Sequence, residues 1–139
     1  MAKLNALYIF TDGASRGNPG NAAAAFVIED GKGNILGRHS KAIGVTTNNV
    51  AEYTAVINAL KAASHYGHRE IFCFSDSKLA VNQLNSVYKI RKKHLQKLFR
   101  QVKNLEKKFK RVTFSYLPRT NPKIARVDKL VNRELDKLG

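Results

Sequence analysis

The sequence predicts an α/β domain built on a mixed five-stranded sheet flanked by helices. Three observations carry this. Three strand-like runs near the N-terminus are joined by turn residues, as in an antiparallel meander. Two later apolar runs alternate with segments of helical periodicity. Hydrophobic residues make up 43% of the 139 positions, enough for one well-filled core. The length fits a single domain over residues 1–139, and the start at Met1 and the end at Gly139 are read as those of a stand-alone unit.

The first strand is expected over Leu4–Phe10, an apolar run closing on the turn-forming Thr11-Asp12-Gly13. Arg16-Gly17-Asn18-Pro19-Gly20 reads as a loop. Ala22–Glu29 is the second strand, Asp30–Asn34 a hairpin turn, and Ile35–Gly44 the third strand. Thr46, Thr47, Asn48 and Asn49 offer helix caps. The helix that follows carries Val50, Tyr53, Val56, Ile57 and Leu60 at helical spacing and stops near Gly67. Ile71–Phe74 is a fourth strand ending at Ser75-Asp76, and Lys78–Asn85 a short helix. A long amphipathic helix is predicted over Lys93–Lys110, with Leu95, Leu98, Phe99, Val102, Leu105 and Phe109 as its apolar stripe. Val112–Leu117 is the fifth strand, Pro118–Pro122 a loop, and Ala125–Leu138 the last helix.

Charge narrows the partners. Lys and Arg number 25 against 10 Asp and Glu, a net charge of +15. Eleven of those cations fall between Lys89 and Arg111, opposed by Glu106 alone. A lysine-rich helix face is commonly just solvated, but here the excess runs through the chain. It favours a polyanion, and nucleic acid over membrane, because the apolar residues of this stretch are needed for the core. The longest apolar run, Ala22–Ile28, is far short of the ~20 residues that a membrane span needs. The lone Cys73 excludes an intrachain disulfide and a cysteine zinc site, and reads as a buried core thiol. The expectation is a soluble, monomeric, cytoplasmic protein.

With so few acids, their placement is informative. Asp12 and Asp76 each follow a predicted strand, and on parallel neighbours both emerge at one sheet edge. Glu52 is expected in the first turn of the first helix, and Asp128 near the start of the last. Each has an ordinary structural explanation: a turn, a cap, a helix-start charge, a surface pair. Gathered in one crevice they would repel unless a cation intervened. Oxygen ligands without neighbouring His or Cys suit Mg²⁺ or Mn²⁺ over Zn²⁺. Two such ions can activate water and stabilise the leaving oxygen of a phosphodiester.

These motifs resemble those of a known family. Thr11-Asp12-Gly13-Ala14-Ser15-Arg16-Gly17-Asn18-Pro19-Gly20 resembles the first-strand signature of type 1 ribonucleases H, and Thr46-Thr47-Asn48-Asn49-Val50-Ala51-Glu52-Tyr53 that family's helix start. Ser75-Asp76-Ser77 and Asp128 stand where its remaining acidic motifs do. The resemblance covers essentially the whole chain. It implies the ribonuclease H-like fold, with sheet order 3-2-1-4-5 and the first three strands antiparallel. It implies hydrolysis of the RNA strand of RNA–DNA hybrids with two Mg²⁺ ions, leaving 5′-phosphate and 3′-hydroxyl ends, with Mn²⁺ as a substitute. Asp12 would bridge the ions, Asp128 complete the site of the nucleophilic water, and Glu52 with Asp76 hold the ion near the leaving oxygen. Asn18 and Thr47 match positions that contact a DNA phosphate, Asn48 and Asn49 groove-reading positions, and Ser15 lies beside expected 2′-hydroxyl contacts. Arg16 belongs to the same loop.

Two departures are plain. The loop Pro118–Lys123 has no His, where many members carry one for product release; Arg119 is the nearest substitute, as in His-less members of mainly archaeal type. The stretch from Asp76 to Val112 is too short for the family's full basic handle, and Lys89, Arg91, Lys92 and Lys93 are expected to supply part of its charge. Double-stranded RNA stays open as a further substrate. The competing readings are another nuclease or transferase of the same fold, and a hybrid- or dsRNA-binding module without catalysis. His39, His65, His68 and His94 are read as structural or surface residues.

Overall fold

The computed structural model describes residues 6–139; Leu4 and Asn5 of the predicted first strand lie outside them. The elements are β1 (Ala6–Gly17), β2 (Gly20–Glu29), β3 (Ile35–Thr46), α1 (Asn48–Ala63), a single 3-10 turn (Ser64–Tyr66), β4 (Glu70–Ser75), α2 (Lys78–Leu84), α3 (Lys93–Glu106), β5 (Arg111–Tyr116) and α4 (Pro122–Asp136). The sheet order is β3-β2-β1-β4-β5. β1, β2 and β3 are antiparallel, whereas β4 and β5 run parallel to β1.

Alternation in the strands divides the core in two. Leu7 and Ile9 of β1, Ile71 and Cys73 of β4, and Phe114 of β5 face α1 and α3, where they pack with Tyr53, Leu60, Leu95 and Val102. Phe10, Ala23, Ala25 and Val27 face α4, against Ile124, Val127, Val131 and Leu135. Cys73 is a free, buried thiol, and burial pushes its pKa up to about 12, which leaves it inert at neutral pH. Among the described residues, no helix is long and apolar enough to cross a membrane.

Four boundaries differ from expectation. β1 does not stop at Phe10: β2 keeps pairing with it as far as Gly17 opposite Gly20, so Thr11-Asp12-Gly13 is strand and the turn shrinks to Asn18-Pro19. α3 ends at Glu106; Lys107–Lys110 turn back, and the Lys110 N–H bonds the Arg69 carbonyl to start β5, while Phe109 stays buried. α4 begins three residues early. Asn121 caps it by accepting from the Lys123 N–H at 2.9 Å, and Pro122 occupies the one helical position where its missing N–H costs nothing. Glu52 lies beyond the first turn of α1, because Thr47 is the cap, accepting from the Val50 N–H at 3.2 Å. The end of that helix is as expected, the chain leaving the 3-10 turn through Gly67 at φ +96°.

One buried charge had no sequence signal. Glu29, at the end of β2, is 1% exposed and lies 2.6 Å from Lys123 and 2.7 Å from Arg126. Burial works against its ionisation, but these two hydrogen-bonded cations hold its pKa below the usual carboxylate value. The contact ties the first turns of α4 to the sheet, and so helps to fix the helix that carries Asp128.

Candidate active site

Strand register sets the first two acids. The last parallel pair between β1 and β4 is Phe10 opposite Phe74. Asp12 and Asp76 each stand two residues further on, hence level with one another and on the same face. The sheet splits here, since β1 continues with β2 while β4 ends at Ser75.

Glu52 arrives from α1. Gly13 makes this possible: a Cβ at that position would fall 2.2 Å from the Ala51 carbonyl oxygen, so only glycine lets the helix approach β1 so closely. Its N–H donates to Glu52 Oε1 at 3.1 Å and aims the carboxylate at the crevice. Carboxylate oxygens of Asp12, Glu52 and Asp76 all lie within 4.8 Å of one another. Asp128, on α4, is close enough to Asp12 to share a hydrogen bond with it. Three of the four acids singled out in the sequence therefore cluster, and the fourth, Asp128, neighbours Asp12.

The electrostatics are unfavourable as they stand. Burial, then the charges of Asp76 and Asp128, push the Asp12 carboxyl up to about 8. Burial, then Asp12 and Asp76, likewise raise Glu52 well above its ordinary value, with the Gly13 N–H acting the other way. Asp12 Oδ2 is buried and has no hydrogen-bond partner among the described residues. Arg119 answers part of this charge: its Nε lies 3.2 Å from Asp76 Oδ2, and that contact raises the guanidinium's own pKa. A divalent cation with a preference for hard oxygen donors fits this set, because it would satisfy the orphaned oxygen and relieve the repulsion together.

The surrounding polar residues form a brace between the β1–β2 hairpin and α1. The Ser15 N–H donates to Asn48 Oδ1 at 2.7 Å, and the Asn48 N–H donates to Asn18 Oδ1 at 3.1 Å. The second bond satisfies one of the orphan donors at the helix start. Asn49 follows Asn48 on the same opening turn of α1. Arg16, at the hairpin tip, bonds Asn132 at 3.2 Å and pairs with Asp136 at 2.7 Å, both on α4.

Lys89, Arg91 and Lys92 belong to the α2–α3 connection and Lys93 to the start of α3, all four exposed and outside the carboxylate cluster. Lys92 caps α3 and Lys93 begins it, with no acid in its first turn. Cations at the positive end of a helix are electrostatically unfavourable, so helix stability does not explain them. Among the histidines, His65 Nδ1 lies 3.2 Å from the Ala62 carbonyl and His68 Nδ1 3.3 Å from that of Lys108, which are local backbone contacts.

A family model described as "Reverse transcriptase-like" matches residues 10–133. Ribonuclease HI of Halobacterium salinarum is 36% identical over 130 residues, 94% of this chain and 64% of that protein. The crystal structure of RNase H1 from the same archaeon aligns with a TM-score of 0.90, covering 95% of this chain and 98% of that one. The chain belongs to the type 1 ribonuclease H family. LC11-RNase H1, solved in complex with an RNA/DNA hybrid, is 39% identical, with a TM-score of 0.89 over 95% of this chain and 98% of that one. The bifunctional protein Rv2228c of Mycobacterium tuberculosis is 38% identical over 129 residues, 92% of this chain but 35% of that protein. The chain thus spans about a third of the mycobacterial relatives and under two thirds of the Halobacterium one.

Within this ribonuclease H fold, sequence reasoning missed Gly13 as the residue that seats Glu52. The signal was present in Thr11-Asp12-Gly13: a glycine directly after an acid, inside a strand, marks close backbone approach.

Proposed function

We propose that the chain is an endoribonuclease that hydrolyses the RNA strand of RNA–DNA hybrids to 5′-phosphate and 3′-hydroxyl ends, working as a single domain and a monomer. The observation that carries this is the cluster of Asp12, Glu52 and Asp76, with Asp128 beside Asp12, in which a buried Asp12 oxygen has no partner among the described residues. Asp12 would contact two divalent cations, Asp128 would share one, and Glu52 and Asp76 the other. Mg²⁺, or Mn²⁺ in its place, would supply water activation and stabilisation of the leaving 3′ oxygen.

The protein's own part is positioning. Gly13 holds the Glu52 carboxylate, and the brace of Ser15, Asn18 and Asn48 fixes the surface beside the crevice. Asn18 and Thr47 are assigned to a DNA-strand phosphate, Asn48 and Asn49 to the groove, and the backbone at Ser15 with the Glu52 side chain to RNA 2′-hydroxyls, the group that tells RNA from DNA. Arg16, Lys89, Arg91, Lys92 and Lys93 add phosphate contacts that position without reading sequence. Arg119 is assigned to product release: it is exposed yet touches Asp76, so it can move between the carboxylate and a departing phosphate. Cleavage of double-stranded RNA is a second activity to test on the same site.

The test is cleavage of an end-labelled RNA strand annealed to DNA or to RNA, with Mg²⁺ or Mn²⁺, beside Asp12→Asn. Cleavage of the hybrid by the wild type alone is expected. Cleavage retained in the variant sinks the metal assignment, and binding without cleavage under either metal turns the reading to a binding module.

A further inference from the structure

A cavity of about 600 Å³ opens between the end of α2, the connection that follows it and α3, apart from the carboxylate crevice. It is of the size that holds a small ligand. Its wall includes Val87 and Tyr88, which are 67% and 50% exposed, and Phe99 from α3. The loop that displays them is held fast: the Val87 and Tyr88 N–H groups both donate to the Asn82 carbonyl, at 2.8 and 3.1 Å. Ser86 takes a left-handed φ of +62° to allow it, a strained conformation for a residue with a side chain.

Two further features point to the occupant. Lys89 and Arg100 line the cavity, and no Asp or Glu occurs between Lys78 and Leu105, a lining that suits an anionic ligand. Gln83, 7% exposed, is the buried member of the lining. Its Oε1 accepts from the Tyr53 hydroxyl at 2.7 Å, while its Nε2 makes no hydrogen bond to a described residue. An inserted aliphatic side chain would leave that donor unsatisfied, at a cost. A nucleobase carbonyl or ring nitrogen would satisfy it, and the planar ring would lie against aromatic side chains.

We propose that this cavity binds one unpaired nucleotide of single-stranded DNA flanking the hybrid, its base against Tyr88 and Phe99, a carbonyl or ring-nitrogen acceptor of the base on Gln83 and its phosphate on Lys89 and Arg100. The proposal rests on the hybrid-cleaving function above, and adds a preference for hybrids that end in single-stranded DNA.

The experiment compares a blunt RNA–DNA hybrid with the same hybrid extended by four unpaired deoxynucleotides, one of them 2-aminopurine. Extensions at each end of the DNA strand are tried. Binding is measured in EDTA, where no cleavage occurs. The extended hybrid is expected to bind about tenfold tighter than the blunt one, with quenching of 2-aminopurine as it stacks. Tyr88→Ala, at a half-exposed position outside both core clusters, is expected to abolish both effects. It should leave blunt-hybrid affinity and Mg²⁺-dependent cleavage unchanged. Equal affinity for the blunt hybrid and both extended ones, or an advantage that survives Tyr88→Ala, overturns the proposal. So does Tyr88-dependent binding of an acidic, aromatic-bearing peptide with no 2-aminopurine response, which makes the occupant a protein segment. Failure of the wild type to cleave the blunt hybrid with Mg²⁺ strikes the proposed function instead, and leaves the binding comparison to decide the cavity.

Discussion

Replacing Asp12 by Asn should stabilise the metal-free protein, and by more as pH rises. The Asp12 carboxyl has a pKa of about 8 in the folded chain against an ordinary value of 3.8. A raised carboxyl pKa means that the fold favours the protonated form. Its contribution to stability is complete below about pH 4 and is lost progressively as pH rises toward 8. Each pH unit in that window is worth about 1.4 kcal/mol, so by pH 7 the wild type has lost about 4 kcal/mol. Asn does not titrate and escapes this loss. Its Tm advantage in EDTA should therefore grow from little at pH 4 to of order 10 °C at pH 7. Added Mg²⁺ should reverse the order, because a ligand of the folded state stabilises the protein that binds it. The assay is thermal unfolding across pH with EDTA or Mg²⁺. A pH-independent difference, or an Asn variant less stable than wild type at pH 8 in EDTA, would refute the account of a repulsive crevice.

Three other outcomes follow from single contacts. Gly13→Ala forces a methyl group to within 2.2 Å of the Ala51 carbonyl oxygen, and should cost about 3 kcal/mol and lower cleavage with it; an unchanged Tm counts against glycine as the residue that seats α1. Arg119→Ala should slow steady-state cleavage by about tenfold while leaving the single-turnover rate nearly intact, whereas equal slowing of both removes Arg119 from product release. Hybrid affinity should fall by about a hundredfold or more between ~50 and ~200 mM salt, and a flat response contradicts the basic surface.

The fold was legible because its signals are local. Short apolar runs marked the strands, Thr47 stood ready as a cap, and the turn at Asp30–Asn34 carried its own chemistry, with Asp30 Oδ1 accepting from the Lys32 and Asn34 N–H groups. What misled was local chemistry overruled from a distance. Thr11-Asp12-Gly13 reads as a turn by residue type, yet β2 supplies ten consecutive partners from Tyr8 to Gly17 and keeps the backbone extended. Glu29 gave no signal at all, since Lys123 and Arg126 lie more than ninety residues away in the chain.

The acids show what sequence position leaves undecided. Singly, Asp12, Glu52, Asp76 and Asp128 are a turn residue, a helix charge, a cap and a surface acid. Parallel register converts the first and third into a level pair, and Gly13 draws in the second. A fold selected for stability alone would not put these groups together, because their mutual repulsion raises the pKa of Asp12 and Glu52 and leaves a buried oxygen unpaired. The chain has 25 cations, and among the described residues only Arg119 bonds into the cluster, from an exposed position. A protein so rich in lysine and arginine could have paired this crevice with a second cation, as Lys123 and Arg126 both do for the buried Glu29. That it does not favours a crevice kept for an exchangeable cation.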